Sequence, residues 1–266
     1  MKGIKLKKIF LLILSGWLLS IVFSSFQLLN IFRNNTNLSL ILIGFLEFIF
    51  IVPSLIYFYK NDYSYKKYFK LNNISNKILF PLVVFSIGVF ILSDAIDRII
   101  NIFIQVPSFY SEVLDMLRWN DVYSFLIIII SVVVIAPIIE EMIFRGLLLR
   151  GLEKKYKSVV LSVIYSSILF AVIHVLPSLF IQIFLIGMIL GFLSIKFNSI
   201  FPGIVLHSIN NLLTLLLLNL NGNYFDFYLK NDFVNWKMVI VGGILIYFGF
   251  REIKSYIIAE KLKKGK

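Results

Sequence analysis

The chain has 266 residues, of which 59% are hydrophobic and 15% charged, against about 25% charged in ordinary soluble domains. A soluble domain of this length has no means of hiding so much apolar surface, and the lack of cysteine removes disulfides, thiolate metal sites and a cysteine nucleophile together. The formal charge of +12 points either to nucleic acid or, in a membrane chain, to Lys and Arg gathered on the cytoplasmic side.

The apolar residues come in runs of about 20, the length a helix needs to cross a hydrocarbon core roughly 30 Å thick. In chain order the runs are Ile9–Phe32, Leu38–Tyr59, Ile78–Ile104, Val122–Leu149, Val159–Leu176, Leu179–Phe197, Ile200–Leu220 and Trp236–Ile258. Transmembrane strands alternate apolar and polar residues, whereas Phe125–Ile139 is almost continuously apolar. The expected fold is therefore all-α, a polytopic membrane helical bundle of about eight transmembrane helices. No internal repeat, soluble domain or low-complexity linker is visible, so residues 1–266 read as a single integral membrane domain.

The basic residues of the connections alternate. Lys2, Lys5, Lys7 and Lys8 precede the first run, and Lys60, Lys66, Lys67, Lys70 and Lys77 follow the second. Arg150, Lys154, Lys155 and Lys157 follow the fourth, Lys196 closes the sixth, and Arg251, Lys254, Lys261, Lys263, Lys264 and Lys266 crowd the tail. The intervening connections carry only Arg33, Arg118 and Lys230. Both termini are expected to be cytoplasmic. The charge then serves topology, and a nucleic-acid partner loses its main support. The first run also has the basic start and apolar stretch of a secretory signal peptide ending near Ser24 and Ser25, but its removal would spoil the alternation. The long polar stretch from Lys60 to Lys77 reads as a solvated loop near lipid headgroups.

Ionisable groups inside a span cost about 2.5–3.5 kcal/mol each near the helix centre, so each asks for a reason. The fourth run contains Glu140, Glu141 and Arg145. Glu141 and Arg145 are four apart, share a helix face and form a natural ion pair. Glu140 points about 100° away from Glu141 and has no such partner in its own helix. The only histidines, His174 and His207, both fall inside other spans, and Asn211 lies one turn after His207. A carboxylate and an imidazole can bind a water and take its proton, while an imidazole and an amide can donate to the oxyanion formed at an attacked carbonyl. The same residues offer a second chemistry, in which Glu140, His174 and His207 ligate zinc and leave a position for water.

The order Glu-Glu-x-x-x-Arg (Glu140, Glu141, Arg145), Phe-x-x-x-His (Phe170, His174) and His-x-x-x-Asn (His207, Asn211) resembles the CPBP family, the CAAX prenyl protease and bacteriocin-processing intramembrane proteases. The resemblance runs from about Val122 to Leu220, where the catalytic helices are expected. It implies an eight-helix membrane endopeptidase whose site opens to the cytoplasm. Carried over by position, Glu140 and His174 activate the water, His207 and Asn211 stabilise the oxyanion, and Glu141 and Arg145 support the site. It also implies glutamate-dependent hydrolysis without a metal, as in type II prenyl endopeptidases. Asn is a poor zinc ligand, and no His-Glu-x-x-His motif is present.

The Lys, Asn and Ile bias suggests an AT-rich genome and so a bacterial cell membrane. Bacterial relatives are linked to peptide-pheromone processing, bacteriocin self-immunity and surface-protein handling. The expected partners are membrane lipids and a lipidated or hydrophobic peptide that reaches the site through the bilayer. The rival reading is a non-catalytic membrane immunity factor or scaffold, or a proton-coupled transporter using Glu47, Asp94, Asp97, Arg98 and Gln182. Depth leaves one misfit. At about 1.5 Å per residue, Glu140, His207 and Asn211 lie roughly 10–16 Å from the cytoplasmic ends of their runs, and His174 comes out about 8 Å deeper.

Overall fold

The computed structural model describes residues 4–29, 35–104, 106–107, 110, 114–220 and 226–264. Lys2, Arg33 and Lys266, used in the orientation argument, and Phe32, the expected end of the first run, lie outside the described residues. Eight described helices have fifteen residues or more: α1 Leu6–Ser24, α2 Thr36–Lys60, α3 Leu79–Ile100, α4 Val122–Tyr156, α5 Val159–Ile173, α6 Phe180–Phe197, α7 Phe201–Asn219 and α8 Trp236–Lys264. Among the described residues the strands form one two-stranded antiparallel hairpin, β1 Leu229–Lys230 with β2 Phe233–Val234, in the α7–α8 connection.

Helices α1, α2, α3, α4, α6 and α7 are long and apolar enough to cross a membrane, which makes this an integral helical membrane bundle. The other two expected spans take a different form. α5 has 15 residues, about 22 Å at 1.5 Å per residue, and α8 runs 29 residues past Lys237, Arg251, Glu252 and Lys254.

Local chemistry sets the boundaries. Asn35 and Ser158 cap α2 and α5 by accepting from the backbone N–H of Leu38 and Leu161, which satisfies donors the first turn leaves open. Asp121 and Ser124 form a reciprocal capping box at the start of α4. The Ser124 N–H also holds the Asp121 carboxyl below its ordinary range. α4 ends at Lys157 and α6 at Asn198, both left-handed.

One apolar core joins the helices, with Ile13, Phe58, Leu82, Phe144, Phe170, Leu190, Leu206 and Ile253 all buried in it. α8 packs along α3, α1 along α2, and α5 along α6. Outward residues such as Leu18, Val22, Phe80, Val122 and Tyr247 stay exposed, a surface that suits lipid rather than water.

The stretch from Lys60 to Lys77 is exposed over much of its length, as its polarity suggests, but its middle is anchored in the bundle. Tyr68, Phe69 and Lys70 are buried, and the Phe69 ring stacks on Phe58 at 5.0 Å. Lys70 Nζ reaches Glu153 Oε2 on α4 at 3.2 Å. The Lys70 carbonyl accepts from the Ile200 N–H, and Arg150 donates to the Lys67 carbonyl. This loop ties the ends of α2, α4, α6 and α7 together behind the polar centre.

Candidate active site

α4 carries the acidic pair in a six-residue α-helical stretch, Ala136–Glu141, between two wider segments of i→i+5 turns, Ile129–Ile135 and Met142–Leu148. Wide turns of this kind are enriched at functional sites. Pro137 accounts for part of the first. In the wide register Ala136 N–H donates to Ser131 O, so Val132 O faces position 137, a proline with no N–H. Asn211 on α7 supplies the missing donor, with Nδ2 at 2.9 Å from Val132 O.

Glu141 and Arg145 meet across one helical turn, with Arg145 Nη1 donating to Glu141 Oε1 at 2.8 Å and both side chains almost fully buried. The guanidinium also donates to Gly187 O at 3.3 Å and lies 4.1 Å from the centre of the Phe170 ring, a favourable cation–π contact. Gly203 makes room for the pair on the α7 side. A Cβ there would stand 2.5 Å from Glu141 Oε2.

Glu140 faces elsewhere, as the 100° step between neighbours requires. Its Oε2 is buried without a hydrogen-bond partner, and its nearest basic group is His207 Nε2 at 3.8 Å. His207, itself buried, stands between the carboxylates, with Nδ1 at 3.6 Å from Glu141 Oε1. Both distances are contacts rather than made hydrogen bonds.

His174 lies just past the end of α5. Its Nδ1 is 2.7 Å from the Phe170 carbonyl. A carbonyl only accepts, so Nδ1 carries the proton, and in the neutral ring Nε2 is left with its lone pair. The Phe170 ring stands edge-on to His174 at 4.9 Å and to His207 at 5.8 Å. One residue thereby orients both imidazoles and the arginine.

The end of α4 removes the misfit between Glu140 and His174. The helix continues past Leu149 to Tyr156, so Glu140 lies 16 residues before that end and His174 lies 15 residues after Val159. At about 1.5 Å per residue these are roughly 24 and 22 Å from the same tight turn, and therefore level. Glu140 and His174 line one cavity of about 280 Å3, together with Trp17, Ser20, Ile21 and Ser24 of α1, Leu46, Glu47 and Phe50 of α2, and Ile173. The sequence offers Glu47 only to the transporter reading. Nothing in its spacing from the motifs shows that α2 turns it toward Glu140.

Zinc would need Glu140, His174 and His207 to converge. Among the described residues no three His, Asp or Glu side chains are placed to hold one metal ion. The residues offered to the transporter reading are partly committed elsewhere. Arg98 Nε donates to both Asp94 oxygens, Tyr228 donates to Asp94 Oδ2, and Arg98 Nη1 donates to Asp232 O. This cluster clamps the β hairpin to α3.

No curated protein and no solved structure matches the chain. Residues 122–213, which hold Glu140, Glu141, Arg145, His174, His207 and Asn211, match the family model described as Rce1-like, type II CAAX prenyl endopeptidase, the group that the three motifs resemble.

Proposed function

We propose that this protein is an intramembrane endopeptidase that hydrolyses a peptide bond in a lipidated or hydrophobic peptide, with its site reached from the cytoplasmic side and both termini cytoplasmic. The observation that carries the reading is that Glu140 and His174, on different helices, line one cavity with Glu140 Oε2 unpartnered. His174 Nε2 has its lone pair free because Nδ1 is committed to the Phe170 carbonyl.

In this reading a water held between Glu140 and His174 Nε2 gives up a proton as its oxygen attacks the scissile carbonyl carbon. The charge that develops on the carbonyl oxygen is met by His207 and by the second N–H of Asn211, the first being bonded to Val132 O. Collapse breaks the C–N bond, and the proton passes to the leaving amine. Glu141 and Arg145 hold the base of the site from behind. The reaction is drawn without a metal, in keeping with the placement of the donor set.

The test is reconstitution with a quenched hydrophobic or prenylated peptide, comparing wild type with Glu140→Ala and His174→Ala. Cleavage by wild type alone, unaffected by zinc chelators, is the expected result. Equal cleavage by all three would refute the assignment, and loss on chelation restored by zinc would refute the metal-free route.

A further inference from the structure

The cavity at Glu140 has a second carboxylate that the hydrolytic scheme does not use. Glu47 lies on α2, outside the family-matched segment, yet it lines the same space as Glu140 and His174. No described Lys or Arg pairs with it. Arg145, the guanidinium of the polar centre, is turned away onto Glu141, Gly187 O and the Phe170 ring.

The remaining polar lining has the same sense. Ser20 spends its hydroxyl proton on the Leu46 carbonyl at 3.0 Å, and Ser24 spends its own on the Ile21 carbonyl at 2.7 Å. What these serines present to a ligand is oxygen lone pairs. His174 presents the Nε2 lone pair for the reason already given, and Glu140 Oε2 is buried and unpartnered. Apart from the Trp17 indole N–H, the polar side chains around this cavity only accept hydrogen bonds once both carboxyls are ionised. Two carboxylates facing one space of low polarity repel each other. Trp17 and Phe50 line the same space, and aromatic rings attract cations. Ile21, Leu46 and Ile173 complete an apolar sleeve.

A space lined by two carboxyls, serine oxygens and aromatic rings is complementary to a primary ammonium on an apolar stem, which supplies the positive charge that lets two neighbouring carboxyls ionise together. We propose that this cavity is a specificity pocket for a substrate ammonium group, with Glu47 as its counter-charge and Trp17 and Phe50 as its walls. The inference rests on the peptidase reading for the word substrate, and it narrows the substrate class to peptides bearing an ammonium beside the scissile bond. Lysine side chains and free amino termini share that chemistry. Glu140 keeps its water, since Glu47 neutralises the incoming charge.

Two measurements test it, one independent of cleavage. The chain has three tryptophans, so Trp119→Phe with Trp236→Phe leaves Trp17 as sole reporter of the cavity. In micelles, phenethylammonium should change Trp17 fluorescence with an affinity about tenfold or more above that of neutral phenethyl alcohol, and Glu47→Gln should erase the difference. Equal binding of the two probes would overturn the proposal, since a carboxyl that keeps its own proton has no preference for a cation. A preference that survives Glu47→Gln would overturn the role of Glu47.

The second measurement compares kcat/KM for three otherwise identical peptides: N-acetylated with an internal lysine, N-acetylated with norleucine in its place, and norleucine with a free amino terminus. Wild type should favour one of the two ammonium peptides by about tenfold, and which one identifies the source of the charge. In Glu47→Gln the rate on the favoured ammonium peptide should fall to that variant's own rate on the neutral one, so that the preference is lost. Equal wild-type rates on all three would overturn the proposal. Probe binding with no cleavage of any peptide would leave the cation pocket standing and sink the peptidase reading instead.

Discussion

Gly203 offers the sharpest test of how the acidic pair is held. It lies one turn before His207 on α7, and an alanine Cβ at this position would stand 2.5 Å from Glu141 Oε2 and 3.3 Å from its Cδ. Contacts of a real Cβ essentially never fall under 3.0 Å, so at least 0.5 Å must be found. Glu141 has little slack, being fully buried with Oε1 on Arg145 at 2.8 Å. The other route is for α7 to retreat, carrying His207 away from Glu140. Overpacking of this kind costs about 1–3 kcal/mol. Displacing a working group by 1 Å costs on the order of a hundredfold in rate, so half that shift is worth about tenfold. Gly203→Ala should therefore melt earlier in micelles and cleave about tenfold more slowly. Glu141→Asp, which withdraws the carboxylate by one methylene, should recover part of the loss in the double variant. Wild-type melting and wild-type turnover in Gly203→Ala would refute the packing argument.

Further outcomes follow from other contacts. Arg145→Met leaves Glu141 buried without its cation and should cost about 3–5 kcal/mol, with the Glu141→Gln double variant less affected than the single one in thermal melts. Burial holds the Lys70 ammonium below its usual 10.5, against the opposing pull of Glu153. A depressed lysine is disfavoured in its charged form in the fold, so the unfolded chain binds more protons between the folded value and 10.5. Wild type should gain stability relative to Lys70→Met as pH rises through that window, and an unchanged difference would contradict the burial. Asn211→Leu should lose both turnover and about 0.5–1.5 kcal/mol from the bond to Val132 O. Adding Pro137→Ala, which returns an N–H to position 137, should restore the melting temperature but not the turnover. Restoration of both would assign Asn211 a purely structural part.

Much of the bundle is legible from length and polarity alone, because a membrane helix must satisfy its backbone internally and show apolar residues all round. The pairing of Glu141 with Arg145 is legible too, since i,i+4 geometry is local. Errors arise where local polarity misleads. Lys154 and Lys155 read as loop, yet they form the solvated face of the last turns of α4, and cutting the helix at Leu149 displaced His174 from Glu140. Much of the loop after α2 is exposed, as its Tyr, Lys and Asn suggest, but Glu153 and the α6–α7 turn, far along the chain, provide the partners that bury Lys70. Glu47 and Gly203 were missed as parts of the site for the same reason. Their meaning comes from which residue of another helix stands opposite, and no spacing along one helix reports that.

Glu140 and His174 are proposed to act on one water in one cavity. A double-mutant cycle on turnover, with Glu140→Gln, His174→Ala and the combination, tests it most directly. Groups that work as a unit lose nearly everything with the first substitution, so the double variant should be no slower than the slower single one. Losses that multiply, each substitution exacting its full cost in the presence of the other, would contradict the account.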